Sequence, residues 1–426
     1  MELNKEHLLQ DSKTFCMLPW VHLHTTPEGI AAPCCIAKSA NNYTPDLTPI
    51  GSSRESRLME LVNSVEMRKI RMEMLQGIKS DHCTKCYMHE DQGIDSARQF
   101  ANREYGEYFD KAFAYTDLAT GHLDKFEMIY FDIRFSNICN FKCRTCGAGC
   151  SSQWEQEDLA NKVSYAKLIP KNNNKQFLQD VVEQIDYMKT AYFAGGEPLI
   201  TEEHYVILEE MIRRGKTDIL LRYNTNLSNL KFKNKDIFGL WKYFKNKIII
   251  NASIDHFGER AEYIRHGTDW GVVETNFLNA KSKPYISLQA NTVISAFNYL
   301  SLAEFYEYLV QHKMFTPDDE TFTAYSMMTP EYLSAHILPK SYKQTGRINM
   351  KKLVHILNVH QIKEFNINHI AESVPWAESL HSWNKQSDKF KSEIERLDKI
   401  RDENFTKVFP ELSGLLDTPA WIDDTE

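Results

Sequence analysis

The 426 residues carry 50 lysines and arginines against 58 acids, a net charge of −8, and 42% of them are hydrophobic. That length exceeds one ordinary core and predicts two or three domains, while the acidic balance gives no global drive toward nucleic acid or an anionic membrane. The first thirty residues, with Glu2, Lys5, Glu6, Asp11 and Lys13, lack the apolar run of a signal peptide or membrane anchor, so a cytoplasmic location is expected.

All nine cysteines (Cys16, Cys34, Cys35, Cys83, Cys86, Cys139, Cys143, Cys146 and Cys150) lie in the first 150 residues. In a reducing cytosol clustered thiols point to metal ligation rather than disulfides. Residues 1 to about 110 mix short apolar runs, a Pro27-Glu28-Gly29 turn and a helical stretch over Met59–Gln76, which reads as a small cysteine-bearing domain. Within it Gly29 suits a hairpin with arms Val21–His24 and Ile30–Ala32. Four thiols, Cys16, Cys34, Cys83 and Cys86, suit either a structural zinc or a closed iron–sulfur cluster. His22, His24, His82 and His89 read as packing or hydrogen-bonding residues.

Beyond that domain, Glu127–Phe135, Thr190–Ala194, Ile219–Asn224, Lys247–Asp255, Tyr285–Ile294 and Thr321–Met327 are rich in β-branched and aromatic residues and read as strands. Between them His204–Arg214, Phe238–Phe244 and Ala303–His312 have helical spacing. Strands separated by helices imply an α/β fold with a parallel sheet, open or part of a (β/α) barrel, with chemistry beyond the C-terminal strand ends. After Pro330 the chain reads as helical, and Ser387–Asn404 has the charge density of a solvated surface helix.

Directly after the first of these strands comes Cys139-Asn-Phe-Lys-Cys143-Arg-Thr-Cys146. Three thiolates on one short loop hold three irons of a cubane and leave the fourth iron open, whereas zinc favours four ligands and C-x₂-C spacings. Cys150 is a further thiol nearby. One strand later, Tyr192-Phe-Ala-Gly195-Gly196-Glu197-Pro198 offers close backbone approach and an acceptor for an ammonium group.

Together these two motifs resemble the radical S-adenosylmethionine (SAM) superfamily over residues 126–330. The resemblance implies a partial (β/α)₆ barrel, a SAM-binding [4Fe–4S] cluster on Cys139, Cys143 and Cys146, and a SAM site built from Gly195, Gly196, Glu197, Pro198, Asn226, Ser253, Asp255, Arg265, Asn291 and Val293. Thr145 stands where the family often has an aromatic residue. The C-x₁₂-G-x₄-C…C-x₂-C pattern of Cys16, Gly29, Cys34, Cys83 and Cys86 resembles the twitch domain, a shortened SPASM domain, and implies an auxiliary [4Fe–4S] cluster on Cys16, Cys34, Cys83 and Cys86. In relatives that domain follows the barrel; here it precedes it.

The expected division is therefore a twitch-type domain at 1–115, the barrel at 116–330 and a mostly helical extension at 331–426. The implied activity is reductive cleavage of SAM to a 5′-deoxyadenosyl radical, hydrogen abstraction, and oxidation of the substrate radical through the auxiliary cluster. The expected partners are a small sugar-like or amino-acid-like metabolite and an electron donor such as flavodoxin or ferredoxin, with no nucleic acid and no membrane. A peptide maturase is the alternative, and a catalytically idle zinc or iron–sulfur scaffold is the reading from another class. No catalytic side chain stands out. Asp132, Arg134, Gln289, Asn291 and Tyr325 lie where strand alternation aims them inward.

Overall fold

The computed structural model describes residues 4–40, 47–163, 169, 173–317, 319, 323–363, 377 and 382–422. The chain divides into two compact units, one of Met1–Ile138, Val163–Tyr223 and Phe232–Ile248, the other of Cys139–Lys162, Asn224–Lys231 and Ile249–Glu426.

The first unit is built on five strands, β1 (His22–Thr25), β2 (Ala31–Ala32), β3 (Tyr130–Ile133), β4 (Thr190–Phe193) and the first part of β5 (Leu220–Thr225), in the order β2-β1-β3-β4-β5. The β1–β2 pair is the expected hairpin: Thr26 N–H donates to Ile30 O at 2.9 Å, and Gly29 closes the turn at φ +87°. Less expected is that β1 also pairs in parallel with β3, His22 opposite Tyr130 and His24 opposite Asp132, so the cysteine-bearing segment extends the sheet of the barrel strands. Parallel pairing continues from β3 to β4 and from β4 to β5.

The helix expected over Met59–Gln76 is two helices, Leu58–Val62 and Val65–Leu75. Ser64 breaks it, its hydroxyl accepting from Met67 N–H as an N-cap, which competes with helix continuation. The core beneath gathers Phe15, Trp20, Phe109 and Phe113, with Phe15 and Trp20 ring centroids 5.2 Å apart.

In the second unit the end of β5 is followed by β6 (Ile248–Ser253), β7 (Ile286–Ile294) and β8 (Thr323–Ser326), with β7 and β8 parallel and Val293 opposite Tyr325. Residues 321 and 322 of the strand expected over Thr321–Met327 lie outside the described residues. The helices Gly258–Ile264 and Trp270–Lys281 join β6 to β7, and Leu302–Gln311 follows β7. With β3 through β8 parallel where paired and separated by helices, the architecture is a partial (β/α)₆ barrel behind an N-terminal module.

Alternation sets the two faces of the barrel strands. Along β5 and β6 the buried residues are Leu221, Tyr223, Thr225, Ile248, Ile250 and Ala252, while Arg222, Asn224, Asn251 and Ser253 stay partly exposed on the other face. Among the described residues no helix is long and apolar enough to cross a membrane.

The C-terminal segment corrects one expectation. Its helix, Trp383–Arg401, is not merely a solvated surface element: Trp383, Phe390, Ile394 and Leu397 form a buried stripe at helical spacing. Phe390 meets Phe405 with ring centroids 5.9 Å apart.

Candidate functional site

In the first unit Cys16 precedes the short helix Leu18–Val21, Cys34 follows β2, Cys83 ends a 3₁₀ turn and Cys86 lies in the helix Thr84–Asp91. These elements bring all four thiols to the wall of one small cavity, otherwise lined largely by apolar side chains such as Leu18, Ile36 and Met74. Burial pushes the Cys16 thiol up to about 12 and also raises Cys34, Cys83 and Cys86, and a thiolate at Cys34 is opposed further by Cys35 and then by Cys83, Cys16 and Cys86. Four mutually repelling thiolates in an apolar pocket are stable only around positive charge, so the donor set fits a metal group. Among the described residues no three His, Cys, Asp or Glu side chains converge as the ligands of a single ion do; what the four cysteines share is the cavity.

Cys35 is absent from that wall; burial, and then the nearby Asp132 carboxylate, push its thiol up to about 11. The histidines of the region are engaged elsewhere. His22 Nδ1 is 2.8 Å from Tyr130 O, His24 Nδ1 is 2.9 Å from Asp132 Oδ2, and His82 bridges Ser39 and Glu66. Asp132, fully buried, also accepts from Arg134 Nε at 3.2 Å.

The Gly195–Pro198 turn ends β4 in the same unit. Gly195 has φ +128°, and a Cβ on Gly196 would lie 2.1 Å from Ile138 O, closer than any side chain tolerates. Glu197 N–H donates to that same carbonyl at 2.7 Å. The turn therefore packs on the residue that precedes Cys139 in the chain. Glu197 is buried, its Oε1 accepts from Leu199 N–H at 3.0 Å, and Pro198 opens the next turn.

The second unit holds the three-cysteine loop. Cys139 N–H donates to Ser152 Oγ at 3.3 Å, and the buried Cys143 has its carbonyl bound by Trp154 Nε1 at 2.7 Å. Cys146 N–H donates to Cys143 O at 3.0 Å, which curls the loop. The Cys146 thiol is raised by a hydrogen bond with Cys150 and then by burial; Cys150 itself is exposed.

Of the remaining expected SAM contacts, three lie in one chain of interactions. Arg265 Nη1 approaches Cys143 Sγ at 4.0 Å, its Nε lies 2.9 Å from Asp255 Oδ2, and Asp255 Oδ1 accepts from Val293 N–H at 2.8 Å. Burial works against the Arg265 charge, but Asp255 and the Cys143 thiolate outweigh it and raise its pKa. Asn226 donates to Asn140 Oδ1 at 3.0 Å, next to Cys139 in sequence. Ser253 ends β6. Asn291 Oδ1 is buried without a hydrogen-bond partner among the described residues, an arrangement that costs about 1–3 kcal/mol and so fits a site that a polar ligand completes. Sequence reasoning missed the direct Arg265–Cys143 contact; the only signal for it was an arginine in the turn after the helix Gly258–Ile264.

Residues 16–87 match the model of the SPASM iron–sulfur cluster-binding domain. The matching residues lie N-terminal to the barrel strands, where the resemblance of the cysteine pattern had put them. No curated protein matches. Similar solved structures include anSMEcpe with bound AdoMet and the Kp18Cys peptide, 16% identical over 54% of this chain and 61% of that one at a TM-score of 0.37. They also include anSMEcpe with AdoMet and the Cp18Cys peptide, at 17%, 54%, 60% and 0.36, and native anSMEcpe with bound AdoMet, at 17%, 53%, 58% and 0.35. This chain thus spans about three fifths of the length of the chains it resembles. The expectation of a small-molecule metabolite as partner is corrected: where these structures hold a partner beside AdoMet, it is a peptide.

Proposed function

We propose that this chain is a radical SAM enzyme that modifies a peptide. Residues 1–115 carry the auxiliary [4Fe–4S] cluster on Cys16, Cys34, Cys83 and Cys86. Residues 116–330 form the barrel, with the SAM-binding cluster on Cys139, Cys143 and Cys146, and residues 331–426 are the extension. The observation that carries the reading is the continuous contact from Cys143 through Arg265 and Asp255 to Val293, which links the thiol loop to the polar groups at the ends of the barrel strands. Bound there, the cluster and SAM supply a 5′-deoxyadenosyl radical able to take a hydrogen atom from carbon.

The chain's own residues then do the orienting. Asp255 keeps Arg265 charged and aimed at the loop, the Gly195–Pro198 turn presents Glu197 as an acceptor for an ammonium, and Asn291 Oδ1 offers an unfilled acceptor. An iron–sulfur cluster rather than zinc at the four-cysteine site is supported by the match of residues 16–87 to an iron–sulfur cluster-binding domain.

A peptide partner is supported by the peptides of the similar structures and by the carboxamides of the second unit. Gln289 Nε2 donates to Asn251 Oδ1, and Asn251 Nδ2 donates to Asn224 Oδ1 at 2.9 Å, a ladder of paired donors and acceptors across three strands. Each carboxamide both donates and accepts, as a peptide backbone does.

The test is deuterium transfer. Anaerobically reconstituted, dithionite-reduced protein is mixed with SAM and a pool of Cα- and Cβ-deuterated peptides, and 5′-deoxyadenosine is examined by mass spectrometry. Label from a peptide is expected; SAM cleavage with no label from any peptide overturns the peptide reading. A second outcome concerns the auxiliary site. Changing Cys83 and Cys86 together to alanine should remove about four of about eight irons while leaving SAM cleavage in place, with peptide product lost. Retention of all the iron sinks the four-cysteine assignment.

A further inference from the structure

We infer that the C-terminal helix Trp383–Arg401 and the turn after it hold the three-cysteine loop in its ligating shape, with Arg144, Lys142 and Arg401 as positioning residues. The inference rests on the cluster assignment for Cys139, Cys143 and Cys146, and it gives the C-terminal extension a role.

Cys143 sits between two cations. The backbone on either side of it is docked, Lys142 N–H donating to His266 O at 2.9 Å and Arg144 N–H to Ile264 O at 2.7 Å. The Arg144 side chain, 1% exposed, meets Asp398 and Glu403, both at 2.5 Å. Its guanidinium lies 3.7 Å from the Tyr263 ring centroid, and the Tyr263 hydroxyl donates to Asp398 at 2.7 Å. His266 Nδ1 in turn is 2.6 Å from Glu403. On the other side, Lys142 pairs with Glu157, which Arg401 also grips at 2.8 Å. Arg401 lies 4.6 Å from the ring centroid of Trp154, the residue that holds the Cys143 carbonyl.

The end of the helix is shaped for these contacts. Asp402 adopts φ +53° and stops it, Glu403 follows at once, and Phe405 N–H locks Asp398 Oδ2 at 2.7 Å. The Arg401 side chain is fully buried, and that of Glu157 is nearly so.

Buried ion pairs are an inefficient route to stability, because apolar packing of the same volume does as well or better. Their use here suits a different task. Charge-assisted pairs with defined geometry fix direction, and a loop that must present three thiols at once gains from being shaped before iron arrives. In this arrangement the grip is on Lys142 and Arg144, and the thiol between them is left to ligate.

The test uses the full-length chain, first free of metal. Hydrogen exchange of the Lys142 and Arg144 amides is compared between the native protein and the double variant Asp398→Asn, Glu403→Gln. Exchange at least about tenfold faster in the variant is expected, followed after reconstitution by loss of about four of about eight irons and a changed electron paramagnetic resonance signal of the reduced SAM-binding cluster. Arg144→Lys, which keeps the charge, should restore most of the protection lost in Arg144→Met. Native exchange rates and full iron in the double variant overturn the inference. If that variant loses its cooperative thermal transition, Tyr263→Phe removes only the hydroxyl bond to Asp398; a folded Tyr263→Phe protein with unchanged Arg144 exchange is then the overturning result. Native protein that never takes iron on this loop, yet shows the exchange difference, defeats the proposed function and leaves the clamp standing.

Discussion

Replacing Cys139, Cys143 and Cys146 together by alanine is expected to lower the iron of anaerobically reconstituted protein from about eight to about four atoms per chain and to abolish release of 5′-deoxyadenosine on reduction. The three thiols sit on one curled loop, tied by Cys146 N–H to Cys143 O, with Arg265 beside the central sulfur. They lie in the second compact unit, and the SPASM-type cysteines lie in the first, so the remaining iron should report an undisturbed auxiliary site. Cys150 supplies the control. Its exposed thiol raises that of Cys146, and Cys150→Ala should keep the full iron content and SAM cleavage. Loss of both would make Cys150 a fourth ligand, and the open corner required by the proposed function would not exist.

The second large effect is expected at Gly196. An added Cβ would meet Ile138 O at 2.1 Å, along with the carbonyl carbons of Ile138 and Asn137. These are backbone atoms without a flexible end to yield, so the turn and the segment leading into Cys139 must separate. Overpacking of this kind costs about 1–3 kcal/mol, and displacement of reacting groups by about 1 Å costs on the order of a hundredfold in rate. Gly196→Ala should therefore remain folded with a lowered melting temperature and lose at least about a hundredfold in SAM cleavage. Gly239→Ala is the matched comparison, because its Cβ would meet only Asp236 Cβ at 4.0 Å; it should cleave SAM at the native rate. Equal rates for the two variants would show that the Gly196 contact does not govern the chemistry.

Much of this was legible because the signals are local. The β-branched and aromatic residues of Ile219–Asn224 and Lys247–Asp255 mark strands, and the structure forms them as Leu220–Thr225 and Ile248–Ser253, neighbours in one sheet, each with one buried face. Gly29 marks a turn, and its φ of +87° is the reason a glycine is needed there. The glycine spacing selects Cys34 over Cys35; in the structure Cys34 lines the cavity and Cys35 does not.

What escaped was long-range. Nothing in His22–Thr25 announces a parallel partner more than a hundred residues away, since pairing is decided by register rather than by composition. The charges of the C-terminal helix read as solvated because their partners, Arg144, Glu157 and His266, are distant in sequence. Of the inward residues considered for chemistry, Asp132 is held by His24 and Arg134, and Gln289 by Asn251. Helix propensity over Met59–Gln76 was overridden at one serine whose hydroxyl captured a backbone N–H.

The parallel seam between β1 and β3 gives the cysteine-bearing module a second duty. Strand β3 would otherwise be the terminal ribbon of its sheet, with unsatisfied peptide groups open to any extended chain, and such margins invite self-association. Here the margin is sealed by the short strand His22–Thr25, and its own far side by Ala31–Ala32. A protein cut back to its barrel would be left not with half its chemistry but with a raw border along Tyr130–Ile133, prone to clumping. The cysteine-bearing module thus also serves as a hem.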